Sequence, residues 1–248
     1  MVMISFFKKK TYKPGALIRN YKILEKVGEG RYGVSYLVAL DDDEFILKTL
    51  KPKSMKKSGH KIIFEEEILS SLDHLSIPRI IDTIKEDDIY AYVLEYKSGK
   101  TIEEMIFGDG YRFTPCEIHK IGLKMISIVK YLHEKNIVHR DIRIPNVIMD
   151  NEEVYLIDFG LARFVNNKRY IPSVDFSYLG QFFLHLYYSS FEKTSIKSKP
   201  WHEELVLSEE EMIFLKKLLG IEKRYENIYD VERDFLKLNL SKEDAVIA

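Results

Sequence analysis

The periodicity of the sequence changes once, at KSGKT (97–101), and the change separates two kinds of structure. Before it, residues 21–50 read as three strands: YKILEKV alternates, a glycine-rich turn follows, VSYLVAL resumes, DDDE turns, and EFILKTL closes the set. IIFEEEILSSL then has helical spacing, with Ile68, Leu69 and Leu72 on one face. Two more apolar runs, around Arg79–Ile84 and Ile89–Tyr96, read as strands joined by KEDD. After the change, TPCE (114–117) has the form of a capping box, with Thr114 as N-cap, Pro115 at the first helical position and Glu117 two further on. The helix it opens carries Ile118, Ile121, Met125, Ile128, Val129 and Leu132 on one stripe. Two short strands, NVIM and VYLI turned by DNEE, precede helices that run to the end. The expectation is an α+β chain: an extension over 1–20, a β-rich lobe with one helix over 21–96, and a mainly helical lobe over 97–248. Clefts between such lobes are where ligands usually sit.

Charge excludes some functions. Lys and Arg total 38 against 39 for Asp and Glu, a formal charge of −1, whereas general nucleic-acid binding needs a basic excess. Apolar residues reach 46%, enough for a packed core. Cys116 is the only cysteine, so no internal disulfide forms, and the reducing cytoplasm is the expected compartment. No apolar run approaches a membrane span, so no stable insertion is expected. The opening MVMISFFKKKTYKPG puts apolar residues before Lys8, Lys9, Lys10 and Lys13, the reverse of a secretory signal. It reads as a strap on the first lobe, with weak membrane-surface contact the lesser alternative.

Four stretches carry chemistry. In VGEGRYGVSYL, Gly28, Gly30 and Gly33 lie between two strands, which argues against a dinucleotide fold. Such a hairpin lets backbone N–H groups close over phosphates, although a plain glycine-bearing hairpin is an equal reading. Lys48 sits mid-strand in FILKTL, where solvent-facing lysines are the rule unless a carboxylate partner exists. Glu65 shares the buried face of the following helix and is the expected partner, with Glu67 the fallback. Glu66 and Glu67 are expected on the solvated face. In IVHRDIRIPNVIMD, Asp141 could orient or deprotonate a hydroxyl, and the amide oxygen of Asn146 could bind a hard cation. Asp158 in YLIDFGLA ends an apolar strand beside Gly160, a position suited to magnesium, expected away from the surface with Phe159 packed inward.

In this order, the glycine loop, strand lysine, helix glutamate, His–Arg–Asp loop (His139, Arg140, Asp141) and Asp–Phe–Gly (Asp158, Phe159, Gly160) resemble the eukaryotic-type protein kinase family over roughly residues 21–236. The resemblance implies a bilobal protein-kinase-like fold with ATP near LEYKSG, where Leu94 would line the adenine pocket and Glu95, Tyr96 and Lys97 would offer backbone bonds. It implies that Lys48 holds the α- and β-phosphates and pairs with Glu65. Asp141 would act on the acceptor hydroxyl, Asn146 and Asp158 would hold Mg2+, and Gly28, Gly30 and Gly33 would cover the phosphates. Arg143, two residues after Asp141, leans to the serine/threonine-directed class.

The pattern is broken elsewhere. Ser35 replaces the usual valine on the adenine wall. DFSYLG resembles the start of a buried helix whose Asp175 braces the His–Arg–Asp loop, yet only sixteen residues separate Asp158 from Asp175. No Ala–Pro–Glu ends that compact activation segment; YIPS is the only remnant, and Arg224 looks like the arginine that usually pairs with the missing glutamate. The chain is also short for the family's late helices. The expected activity is ATP-dependent phosphoryl transfer to Ser/Thr of proteins by a monomer. A kinase of a small-molecule or sugar hydroxyl, and a nucleotide-sensing module without catalysis, are the alternatives. Tyr170 and Ser173 are the only hydroxyl residues between the Asp–Phe–Gly triplet and Asp175, and basal activity without their phosphorylation is expected.

Overall fold

A computed structural model describes residues 11–30, 33–50, 64–86, 89–166, 168–192 and 199–238. Lys8, Lys9 and Lys10, with the membrane contact raised for them, lie outside the described residues, as do Arg31 and Tyr32 of the glycine turn and Ile62 and Ile63 at the head of the first helix. The chain divides into two compact units, Met1–Lys97 and Ser98–Ala248, giving the bilobal α+β organisation.

The first unit is built on a six-stranded antiparallel sheet: β1 (Leu17–Ile18), β2 (Tyr21–Glu29), β3 (Gly33–Leu40), β4 (Asp43–Leu50), β5 (Ile80–Glu86) and β6 (Ile89–Glu95), in the order β1-β2-β3-β4-β6-β5. Period-two alternation gives the sheet two different faces. One buries Ile23, Val34, Tyr36, Val38, Leu47, Ala91 and Val93, and the chain before β1 closes over it. That segment is held by Tyr12, whose N–H donates to Tyr36 Oη at 3.1 Å, and by the Ile23 N–H donating to Ala16 O at 2.8 Å. The other face carries Ser35 and Lys48, paired across β3 and β4, then Tyr92 across β6. The single described helix of this unit, α1, covers residues 64–70, with Ile68 and Leu69 buried.

In the second unit, α2 (Pro115–Glu134) is the central element. Its capping box is complete: Thr114 Oγ1 accepts from the Glu117 N–H, and Glu117 accepts from the Thr114 N–H. A cap contributes about 1 kcal/mol, while each apolar side chain on the buried stripe contributes about 1.5–3 kcal/mol. Packing therefore decides that the helix exists, and the cap decides where it starts. The unit also contains α3 (Ser173–Ser189), α4 (Trp201–Glu204), α5 (Glu209–Leu219) and α6 (Ile228–Phe235). Rings from three of them, Phe183, Phe214 and Phe235, pack together beneath α2. Gly122 permits that approach, because a Cβ there would strike Phe235 and Phe183.

Small sheets flank these helices. β7 (Lys100–Thr101), β9 (Val147–Asp150) and β10 (Glu153–Leu156) form one, and β8 (Ile137–Val138) pairs antiparallel with β11 (Arg163–Phe164) in another. The β8–β11 pairing matters most for function, since β8 leads into the His–Arg–Asp loop and β11 belongs to the segment that follows Asp158. Among the described residues, no helix is long and apolar enough to cross a membrane.

Candidate active site

In the first unit, the sheet face opposite the core delivers Lys48. Its Nζ donates to Glu65 Oε1 at 2.7 Å, and the two side chains are 15% and 7% exposed. A lysine on a strand is ordinarily solvated; this one is drawn in by a carboxylate from the buried face of α1. Glu67 is exposed and plays no part in the pair. Glu66 departs from its expected solvated position. It accepts from Lys85 at 3.2 Å, from Thr83 Oγ1 at 3.4 Å and from the Tyr90 hydroxyl. Glu66 thus ties α1 to β5 and β6 while its neighbour Glu65 reaches β4.

The three glycines are not equivalent. Around Gly28 and Gly30 the space where a Cβ would project is open. A Cβ on Gly33 would run into the carbonyl oxygen of Thr49, so backbone approach between β3 and β4 is itself a reason for glycine there. Ser35 stands in register between Gly28 and Lys48. At the end of β6, Leu94 is buried and Tyr96, just beyond it, is exposed. The Glu95 N–H donates to Arg79 O at 2.9 Å, so it is already committed within this unit and is not among the backbone groups a ligand could use. The Glu95 carboxylate pairs with Lys97 at 2.8 Å and Arg79 at 3.5 Å. Burial alone would raise the Glu95 pKa, but these partners outweigh it and hold it below the usual value.

In the second unit, Asp141, Arg143 and Asn146 meet on one loop. Arg143 grips both carboxylate oxygens of Asp141, Nε to Oδ1 at 2.7 Å and Nη2 to Oδ2 at 3.3 Å. Asn146 Nδ2 donates to the Asp141 carbonyl and to Oδ2, each at 2.9 Å. Asp141 raises the pKa of the Arg143 guanidinium above its ordinary value, chiefly through that hydrogen bond. The backbone under the loop is pinned by Asp175, which is wholly buried in the first turn of α3. Its carboxylate accepts from the His139 N–H at 2.9 Å and the Arg140 N–H at 2.7 Å. His133 Nε2 lies 3.0 Å from the same carboxylate.

His139 is also fully buried; its Nδ1 accepts from the Asp141 N–H at 3.3 Å, and its ring meets Phe159 edge-on at 4.6 Å. Burial pushes its pKa down, against the upward pull of Asp175 and the other nearby carboxylates. Phe159 is buried as expected, whereas Asp158 is exposed. The reason is the backbone: Asp158 takes a left-handed φ of 60° as β10 gives way to a short 3-10 turn, so Phe159 takes the inward place. Asp158 Oδ1 accepts from the Gly160 N–H at 3.3 Å.

His133 is the residue that the sequence reading passed over. It stands four residues after Val129 and seven after Ile126, both buried, so a polar side chain on an apolar stripe was the available signal. Arg224 is exposed and lies over Gly220, and among the described residues it forms no ion pair. Also among the described residues, no three His, Cys, Asp or Glu side chains gather into a metal site. Asn146 and Asp158 present instead an amide oxygen and a carboxylate. Because Asn146 commits its Nδ2 to Asp141, its oxygen is turned the other way.

Comparison with known proteins agrees with this set of parts. The family model described as "Protein kinase domain" matches residues 21–219. A probable serine/threonine-protein kinase, YbdM of Bacillus subtilis, is 35% identical over 232 residues, covering 90% of this chain and 91% of that protein. A probable serine/threonine-protein kinase described as a KIN1 homolog, from Enterocytozoon bieneusi, is 30% identical over 64% of this chain. The carbon catabolite-derepressing protein kinase of Saccharomyces cerevisiae is 30% identical over 66% of it. The matches span only 27% and 26% of those two longer proteins. By the extent of the family match and the near full-length similarity to a kinase of similar size, the chain belongs to the protein kinase domain family.

Proposed function

We propose that this chain is a serine/threonine-type protein kinase, transferring the γ-phosphoryl group of ATP to a protein hydroxyl with Asp141 as the group that receives the proton. The observation that carries this reading is the clamped geometry of Asp141. An ionised carboxylate offers about four lone-pair sites, and Arg143 and Asn146 take three of them, two on Oδ2 and one on Oδ1. The remaining site on Oδ1 is where an acceptor hydroxyl would be oriented and its proton accepted. Lys48, fixed by Glu65, would hold the α- and β-phosphates, Gly28, Gly30 and Gly33 would let the hairpin close over them, and Leu94 with the Glu95 carbonyl, Tyr96 and Lys97 would meet the adenine. Asn146 and Asp158 carry the hard oxygen donors that Mg2+ prefers. Bound there, the ion would offset phosphate charge.

Arg143 fits the serine/threonine class better than a sugar kinase, and two of the matched relatives are themselves described as probable serine/threonine-protein kinases. A single cysteine suits the reducing cytoplasm as its compartment.

The test pairs the wild type with Asp141→Asn, each incubated with labelled ATP, Mg2+, a serine/threonine peptide mixture and a small-molecule extract that supplies sugar and other hydroxyls. Label on Ser or Thr, reduced at least about 100-fold in the variant, is expected. Undiminished transfer by the variant, or label appearing only on small-molecule hydroxyls, overturns the reading.

A further inference from the structure

Sixteen residues separate Asp158 from Asp175, and those described between them, 159–166 and 168–174, return to the catalytic loop. β11 lies against β8, and the Val165 N–H donates to Asn136 O at 2.8 Å. Asn166 gathers Lys168, Arg169 and Tyr170 around its own side chain. Its Oδ1 accepts from the N–H groups of Lys168, Arg169 and Tyr170 at 3.2, 3.0 and 3.0 Å. Its own N–H donates to Tyr170 O at 3.1 Å, closing the turn.

That turn sets the Tyr170 ring against Arg140, with the guanidinium carbon 4.7 Å from the ring centroid. The same guanidinium donates to Leu161 O at 3.1 Å. Arg140 therefore touches both the beginning and the end of the segment. Its backbone is equally constrained: φ is +67°, a left-handed value that a non-glycine residue holds only under external restraint. Asp175 supplies one restraint through the Arg140 N–H. The side-chain contacts supply the others, and the residue they fix immediately precedes Asp141.

We propose that Tyr170 is a positioning residue whose ring holds Arg140, and through it the Asp141 loop, in working geometry without any added phosphate. This rests on the reading of Asp141 given above. Cation–π contact needs the ring face and not the hydroxyl. A phosphorylation-dependent device would need the hydroxyl. The Arg169 guanidinium, 5.7 Å from the same ring, adds a second cation beside it. In this scheme the segment is short because it carries its own ordering contact. It does not wait for a charge to be attached.

The experiment compares Tyr170→Leu, Tyr170→Phe, Arg140→Met and the double variant Arg140→Met/Tyr170→Leu in the full chain. Peptide phosphorylation and amide exchange over 168–170 are both read, with melting curves to confirm folding. Tyr170→Leu and Arg140→Met are each expected to lower kcat about tenfold with the KM for ATP within about twofold. Tyr170→Phe restores wild-type kcat, and the double variant loses little more than either single one. Amides 168–170 exchange faster in Arg140→Met, a readout that stands even if the wild type transfers no phosphoryl group and the reading of Asp141 fails. An unchanged kcat in Tyr170→Leu, equal losses in Tyr170→Phe and Tyr170→Leu, additive losses in the double variant, or unaltered exchange in Arg140→Met each overturns the proposal.

Discussion

The two units hold their functional groups by opposite means. In the second, Asp175 is wholly buried and accepts two backbone N–H groups, with His133 against the same carboxylate, so the loop carrying Asp141 is fixed through its main chain. In the first, Lys48 is fixed by one side-chain ion pair to a helix that is itself tied down by Glu66. Main-chain restraint in a buried place survives side-chain motion, whereas a salt bridge between side chains lasts only while both carriers stay put. The half that carries Asp141 is thus rigid by construction, and the Lys48 half depends on the seating of α1.

Replacing Asp175 breaks the stronger side of the contrast. Asp175→Ala leaves the His139 and Arg140 N–H groups without an acceptor in a place closed to water. A loss of about 3–5 kcal/mol is expected, a large part of the roughly 5–15 kcal/mol that holds a domain. Thermal melting reads it as a fall of about 6–20 °C for a chain of this size. A fall below about 3 °C would show that the buried centre is not what holds the loop.

Lys48→Met attacks the weaker side. Glu65 loses its cation, but one pair between side chains is at stake and no backbone N–H is left without an acceptor. The expected stability cost is about 1–3 kcal/mol, while phosphoryl transfer falls at least about 100-fold. The useful measurement is the ratio of the two losses. If Lys48→Met unfolds the chain as readily as Asp175→Ala, the two units are anchored alike and the contrast fails.

How far the sequence exposed these features follows from the range of the contacts. The change of periodicity, the capping box of α2 and its apolar stripe are local patterns, and each was readable from neighbouring residues. The Lys48–Glu65 pair was legible because helical spacing placed Glu65 on the same face as Ile68 and Leu69. Glu66 was misplaced on the solvated face because its partners Thr83, Lys85 and Tyr90 come from strands 17 to 24 residues later. Nothing local announces that those strands pass beside α1. The contact of Tyr170 with Arg140 was hidden for the same reason, being set by a turn that Asn166 builds and by the β8–β11 pairing. Asp158 shows the limit of reasoning from strand patterns: apolar residues before it suggested burial, but a left-handed backbone at the strand's end put the side chain outside.

The smallest effect separates His119 of α2 from Glu117 by pH. His119 stacks on Phe235 with ring centroids 5.2 Å apart, and burial lowers its pKa from the ordinary 6.5. The folded protein therefore keeps His119 neutral while the unfolded chain takes up a proton. Stability from this group is whole above about pH 6.5 and is lost as the pH falls below it. Glu117 on the same helix shifts in the same direction but in a more acidic window. Burial would raise its pKa, but hydrogen bonds from Tyr111 and Thr114 prevail and lower it from 4.5. Its contribution is present above that value and disappears only in stronger acid. His119→Phe keeps the stacked ring and removes the titration, so the melting temperature should drop less between pH 7.5 and pH 5.5 than in the wild type. The difference should be no more than the roughly 2–4 °C that 1 kcal/mol produces in a chain this long. Glu117→Gln should lower the melting temperature by the same amount throughout that interval, so its slope is unchanged, and the difference from the wild type should shrink only below about pH 4.5. Identical pH profiles for His119→Phe and the wild type would mean that acid sensitivity above pH 5 comes from elsewhere, with His139 beneath the Asp141 loop the next group to test. That result would move the acid-labile point from the helix core to the rigid centre around Asp175.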